Sequence, residues 1–320
     1  MEEAEEESRD WSEMPSDALS AVLAKLDVAD LLTGAGLVCR AWRRLTATDS
    51  TLWRRVDMSH HGDLLETEEA EAMARAAIDR AAGTVEAFWA DSFVTDGLLR
   101  YLSDRAFKLK SLQLSLCDTV SNEGLAEAIK GCPQLEELEI TFCSLFGNVC
   151  ESVGKACPQL KSFRLNERWT ILQREFAAYE GMDDDTEALG IANNMPELQY
   201  LQLIGNNLTN DGLMAILDHC PHIQSLDIRQ CYNIQMDDAM KYKCARIGNL
   251  KLPHDPISDF KYRAYIASSG AYSGSDFEVD MYDDLLDVVT DDDDAEFDDD
   301  MDDVDDAGSE SAMYDDVFDM

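Results

Sequence analysis

Down the middle of the chain apolar residues keep a fixed beat: one, another three on, another two beyond. The beat reads Leu109-Leu112-Leu114, Leu135-Leu138-Ile140, Leu160-Phe163-Leu165, Leu198-Leu201-Leu203 and Ile223-Leu226-Ile228, with polar residues between. Alternation of this kind predicts short strands with one buried face. Between the blocks, Gly124-Leu125 with Ile129, and Gly212-Leu213 with Ile216 and Leu217, carry the stripe of an amphipathic helix. Val85-Phe88-Ala90 repeats the block and is expected to be the first full strand, and Ile247-Leu250-Leu252 the last, seven in all. The blocks step by about 25 residues, and Leu160 to Leu198 is longer by roughly half a step.

The start of the chain has a different texture. Ser16 or Asp17 precedes a helical stripe of Leu19, Val22, Leu23 and Leu26. Asp30 restarts a short segment with Leu31 and Leu32, and a third carries Leu37, Val38, Ala41, Trp42 and Leu45. Leu52, Trp53 and Val56 are expected to close this block. Met58 to Thr67 reads as a linker, and Glu68 to Ala82 as a helix rich in Ala and Glu. Three short helices bury little by themselves and lean on a neighbour.

Charge changes the picture at the far end. The chain has 66 acidic and 26 basic residues, a net charge of −40, and more than half of the excess lies after Arg263. Residues 267–320, including Asp291 to Asp294 and Asp298 to Asp300, bury too little apolar area to offset chain entropy and are expected to be disordered. Residues 1–10 are acidic and expected to be loose. Such a balance speaks against nucleic acid and anionic membrane as partners, which need Lys and Arg. With no long apolar run and no basic-then-apolar leader, the expected setting is intracellular, nucleus or cytoplasm.

Of the nine cysteines, six are expected to be structural. Cys117, Cys143 and Cys231 fall eight residues after the first apolar residue of their blocks, where Asn206 stands in another. Asn or Cys at that place satisfies backbone groups at the bend after a strand. Cys132, Cys157 and Cys220, each before a Pro, are expected to pack at helix ends. No CxxC pair suggests zinc, and no cofactor is implied. No GxSxG, P-loop or HExxH is present, and His219 and His222 flank Cys220-Pro221 in a repeat turn, so the expectation is a chain that binds without catalysis.

Period, block spacing and the Asn/Cys position are those of leucine-rich repeats. The N-terminal block resembles an F-box: Met14-Pro15 stand where that family opens with Leu-Pro, followed by Leu19, Leu23, Leu26, Asp30-Leu31, Val38-Cys39-Arg40, Trp42 and Leu52-Trp53. Together they resemble a plant F-box/leucine-rich-repeat protein over roughly residues 9–260. The fold expected is α/β: a three-helix F-box at 11–57, a linker and helix at 58–83, and a solenoid at 84–266 with parallel strands inside and helices outside.

The resemblance implies the substrate receptor of an SCF ubiquitin ligase. Its F-box would dock on the Skp linker protein and through it on cullin and RING subunits. The implied Skp-binding residues are Met14, Pro15, Leu19, Leu23, Leu26, Leu31, Val38, Trp42, Leu52 and Trp53. Several are more apolar bulk than three small helices hide, and each is worth roughly 1.5–3 kcal/mol on full burial.

The repeats would hold a protein substrate on the concave face, lined by the residues between the block positions. Those singled out are Trp89, Gln113, Glu139, Arg164, Tyr200, Gln202 and Asp227, with Trp89, Arg164 and Tyr200 of the types enriched at hot spots. Asp91, Ser115, Thr141, Asn166, Ile204 and Arg229 are expected on the same face. The long step, spanning 166–190, contains Trp169, Phe176, Tyr179 and Asp183-Asp184-Asp185, either an arch over that face or a loop folded back on the solenoid. A different reading takes the repeats and polyacidic tail as a chaperone for basic proteins such as histones, working through long-range attraction; the F-box separates the two.

Overall fold

The computed structural model describes residues 14–59, 65–145, 147–167 and 185–264. The acidic N-terminus, His60 and His61, the residues from Trp169 to Asp184 and the acidic tail lie outside the described residues, as do the expectations resting on them.

Eight parallel strands form one sheet in sequence order. They are β1 (Arg55–Met58), β2 (Ala87–Asp91), β3 (Ser111–Ser115), β4 (Glu137–Thr141), β5 (Ser162–Asn166), β6 (Tyr200–Gln202), β7 (Ser225–Asp227) and β8 (Asn249–Lys251). The register puts Val56, Phe88, Leu112, Leu138, Phe163, Leu201, Leu226 and Leu250 in one row across the sheet. All but Leu250 are buried, and this row with its neighbours is the core. The long step leaves the sheet undisturbed, since β5 and β6 pair directly, Ser162 opposite Tyr200.

One strand precedes the expected first one. Leu52 and Trp53 lie in a 3-10 turn, Ser50–Trp53, and the chain then extends into β1. Val56 and Met58 are buried while Arg55 is exposed. Val56, expected to close the N-terminal block, also stands first in the core row, and Met58, the start of the expected linker, is strand. The helical start and the solenoid therefore share one sheet.

The N-terminal helices are α1 (Ser16–Leu23), α2 (Ala35–Val38) and α3 (Arg40–Thr48), with a π-helical turn at Asp30–Gly34. The third expected segment is divided: Cys39 is extended, φ −159° and ψ 176°, and separates α2 from α3. The helices behind the sheet are α4 (Thr67–Ala81), α5 (Asp96–Ser103), α6 (Asn122–Lys130), α7 (Val149–Ala156), α8 (Thr186–Asn194), α9 (Asn210–His219) and α10 (Asp238–Cys244).

Successive repeats lock through their helix starts. Ser121 caps α6 by accepting from the Gly124 N–H at 2.9 Å. The Asp96 carboxylate, from the repeat before, accepts from the Ser121 N–H at 2.9 Å and hydroxyl at 2.6 Å. Asp185 does the same for Thr209, at 2.8 and 2.7 Å. Gly124 and Gly212 lie against these carboxylates, and a Cβ at either would collide with them. The Gly-Leu signature of the helices thus has a packing cause.

At the bends after the strands the Asn/Cys position behaves as read. The Cys231 thiol donates to the Leu203 carbonyl at 2.7 Å and the Cys117 thiol to the Ser115 carbonyl at 3.2 Å. Asn206 accepts from the Leu208 N–H at 3.0 Å, and its amide donates to Glu187 at 2.8 Å and Glu167 at 3.3 Å. Cys132, Cys157 and Cys220 are buried at the helix ends, and all nine cysteines are free. Burial pushes the Cys132 thiol up to about 12 and the Cys157 and Cys220 thiols to about 11, which keeps them protonated and unreactive.

Candidate functional site

Two surfaces remain after the core is built. The first is on α1 to α3. Leu19 and Leu23 face inward, 1% and 0% exposed, and Leu31, Leu52 and Trp53 are buried with them. The Trp53 indole N–H donates to the Thr46 carbonyl at 3.0 Å, and Arg80 from α4 covers its ring at 5.1 Å. These five anchors hold the module to itself and to the solenoid, and in the free chain they leave little surface for a partner to touch. Pro15 and Val38 stay exposed, and Val38 is joined by Leu37 and Val22. Leu37 and Val38 are 76% and 55% exposed because the break at Cys39 ends α2 and turns them outward. Met14, Leu26 and Trp42 are half-buried against the core. The Trp42 indole N–H is enclosed with no hydrogen-bond partner among the described residues.

The second surface is the open face of the sheet. Asp57, Trp89, Gln113, Glu139, Arg164, Gln202, Asp227 and Lys251 form one row across it. Of the seven singled-out residues, six thus stand in one line, and Tyr200, 49% exposed, stands in the adjacent row between Ser162 and Ser225. The Trp89 indole N–H donates to the Ser111 hydroxyl at 3.0 Å, and the Arg55 guanidinium lies 3.9 Å from the ring centroid. Arg164 pairs with Glu139 at 2.8 Å and separates two shallow cavities. One, about 200 Å3, is lined by Trp89, Gln113, Glu137, Glu139 and Arg164. The other, about 150 Å3, is lined by Arg164, Tyr200, Gln202, Asp227 and Lys251.

The rest of the expected face is covered. After β8 the chain returns across the sheet as a strap, residues 253–264, and Phe260 and Tyr262 pack on Phe142 and Ile204. The Tyr262 hydroxyl lies 2.7 Å from the Ser115 hydroxyl and 3.2 Å from Asp91, and accepts from the Gln113 amide at 3.2 Å. Asp91, Ser115, Ile204 and Arg229 are therefore buried, and Thr141 and Asn166, joined at 2.9 Å, are buried as well. Asp227 is buried too: it holds Arg229 at 2.7 Å, and Arg229 reaches on to Asp259 of the strap. A structural ion pair takes the place of the expected contact at Asp227. Sequence reading missed the strap, whose only signal was a pair of aromatics, Phe260 and Tyr262, after the last block.

Among the described residues no cluster of three or more His, Cys, Asp or Glu side chains is placed to hold a metal ion. No helix there is long and apolar enough to cross a membrane.

The comparisons fit this geometry. The F-box-like family model matches residues 11–59, and a leucine-rich-repeat model matches 106–127 and 195–217. The putative F-box/LRR-repeat protein 22 of Arabidopsis thaliana is 38% identical over 81% of this chain and 81% of its own length. The chain belongs to the plant F-box/leucine-rich-repeat proteins. The F-box protein SKIP19 of Arabidopsis thaliana is 36% identical over 79% of this chain and 80% of itself. The putative F-box/LRR-repeat protein 23 of the same plant is 39% identical over 77% of this chain, which spans 54% of that protein's length. In this F-box/leucine-rich-repeat chain the F-box match runs to residue 59 and so takes in β1.

Proposed function

We propose that this chain is the substrate receptor of an SCF-type ubiquitin ligase, joining a Skp linker, and through it cullin and RING subunits, to a protein substrate. The observation that carries the reading is the exposure of Pro15, Val22, Leu37 and Val38 on a module that matches the F-box family. Large apolar side chains left in water on so small a module, with Arg40, Arg43 and Arg44 also exposed, are what a surface covered by a second protein presents. The open face, with Trp89, Arg164 and Tyr200 around two shallow cavities, suits a protein segment better than a small molecule, which needs a deep enclosed pocket. The chain supplies proximity, and the chemistry belongs to other subunits.

Recovery of Skp and cullin from plant extract on the immobilised full chain tests the docking half. Leu37→Asp/Val38→Asp is expected to cut recovery at least about tenfold while the thermal midpoint holds, because both side chains already face water. Undiminished recovery by that variant sinks the docking site. Trp89→Ala/Tyr200→Ala is expected to keep Skp and lose substrate. Salt-sensitive histone binding without Skp would favour the acidic-chaperone reading instead.

A further inference from the structure

The sheet has an unfinished side. Among the described residues β1 pairs with β2 alone, and no strand follows it outward. The Arg54 carbonyl accepts from the Glu86 and Ala87 N–H groups of the next repeat, at 2.7 and 3.1 Å. Because strand backbone groups alternate in direction, Val56 and Met58 turn the same way, and Arg55 and Asp57 turn their N–H and C=O groups to the free side. Among the described residues no backbone–backbone hydrogen bond reaches those groups.

Beside this edge lies a cleft of about 430 Å3, bounded by the segment Ala24 to Val28 and by Thr51, Arg54, Arg55 and Asp57. Its floor is apolar: Val28, Leu31 and Leu52 are all buried. Its rim holds charges of both signs, but the acids are engaged. Asp57 accepts from the Ser59 N–H at 3.2 Å and hydroxyl at 2.8 Å and pairs with Arg55 at 3.1 Å. Asp27 accepts from the Asp30 N–H at 2.7 Å. Lys25 and Arg54 form no ion pair with any described residue, and both are exposed. In a chain of net charge −40, the cleft's lining is cationic by one charge, with Lys25, Arg54 and Arg55 against Asp27 and Asp57.

We propose that the free edge of β1 and its cleft are a docking site for an extended acidic segment of a partner protein, added to the eight-stranded sheet as one more strand. An edge offering alternate N–H and C=O groups fixes the ligand as extended, the apolar floor takes alternate side chains, and Lys25 and Arg54 select carboxylates. The occupant is assigned to a partner because Lys25, on the cleft, follows the exposed Val22 by less than one helical turn, next to the surface proposed above for docking. On that point the assignment rests on the docking reading above, but its test needs no Skp, so the failure of one is distinguishable from the failure of the other.

The test uses the full chain and a fluorescent peptide alternating Glu with Val, against a matched peptide alternating Lys with Val. General electrostatics of so acidic a protein favours the Lys peptide, so a preference for Glu reports a local site. The Glu peptide is expected to bind at least about tenfold tighter, and to slow amide exchange at Arg55 and Asp57. Lys25→Glu/Arg54→Glu is expected to weaken it by about tenfold or more with an unchanged unfolding midpoint. Equal or tighter binding of the Lys peptide overturns the site, as does an insensitive double variant. Binding that appears only after residues 1–13 are removed overturns the partner assignment, because the chain's own acidic segment would then fill the cleft.

Discussion

At the scale of single residues, the contacts that matter most link one repeat to the next. Gly124 is the sharpest case, since the Asp96 carboxylate that holds the Ser121 cap also occupies the space a Cβ would need. Gly124→Ala is expected to cost about 1–3 kcal/mol, as overpacking against a fixed group does. In an Asp96→Ala background the same change is expected to be neutral or stabilising, because Ala is the better helix former by about 1 kcal/mol. A double-mutant cycle in urea checks this: coupling above about 1 kcal/mol is expected, and additive effects would overturn the account. Sequence spacing made the glycine visible as part of a helix pattern. It gave no reason for it, because the clashing carboxylate sits in the preceding repeat and only the stacked structure brings the two together. Asp227 shows the converse. Its place in the open row was legible from alternation, but its burial came from Arg229 and Asp259, which no periodicity connects.

At the scale of elements, the strap is the feature the chain's periodicity hides. Residues 253–264 follow the last block and carry no beat, yet they cover the part of the open face around Phe142 and Ile204. The repeats were legible because each obeys the same spacing; the strap was not, because it is aperiodic and its partners lie across the whole sheet. Titration reports on it from both ends. Burial holds the Tyr262 phenol well above its usual range, the Asp91 and Glu139 carboxylates add to this, and hydrogen bonds with Ser115 and Gln113 oppose it. A raised folded-state value means the neutral phenol is favoured in the fold. The contribution of Tyr262 is therefore intact below about pH 10 and lost as pH rises beyond. Lys251 first, and Arg229 with it, hold the Asp259 carboxyl well below its usual range. Its contribution is present above about pH 4 and lost as pH falls. Denaturation midpoints of wild type minus Tyr262→Phe are expected to be flat through neutrality and to shrink above about pH 10. The difference from Asp259→Asn is expected to shrink only in acid. A difference from Tyr262→Phe that stays constant to high alkaline pH would remove the buried phenol as an anchor of the strap.

At the scale of the whole molecule, the F-box and the solenoid are continuous. β1 extends the core row into the N-terminal module, the Thr84 hydroxyl donates to the Ser50 carbonyl at 3.1 Å, and Arg80 covers Trp53. The helices of the module bury their largest side chain, Trp53, partly against the first helix behind the sheet. Solenoids couple mainly nearest neighbours, so an end unit frays when its interface is small. Here the end unit shares both a strand pair and a core row with the next, and it is expected to open with the sheet and not before it. Amide exchange measures this directly. Protected amides in α1 and α3 are expected to open at the same free energy as those of β2 and β3, within about 1 kcal/mol. Val56→Asp places a carboxylate in the core row at the junction, and is expected to lower protection on both sides by a similar amount. Loss of protection in α1 to α3 alone, with β2 and β3 unchanged, would show a hinged module. The end proposed to bind an adaptor would then move independently of the face proposed to hold a substrate, whereas a rigid junction fixes the distance and angle between them.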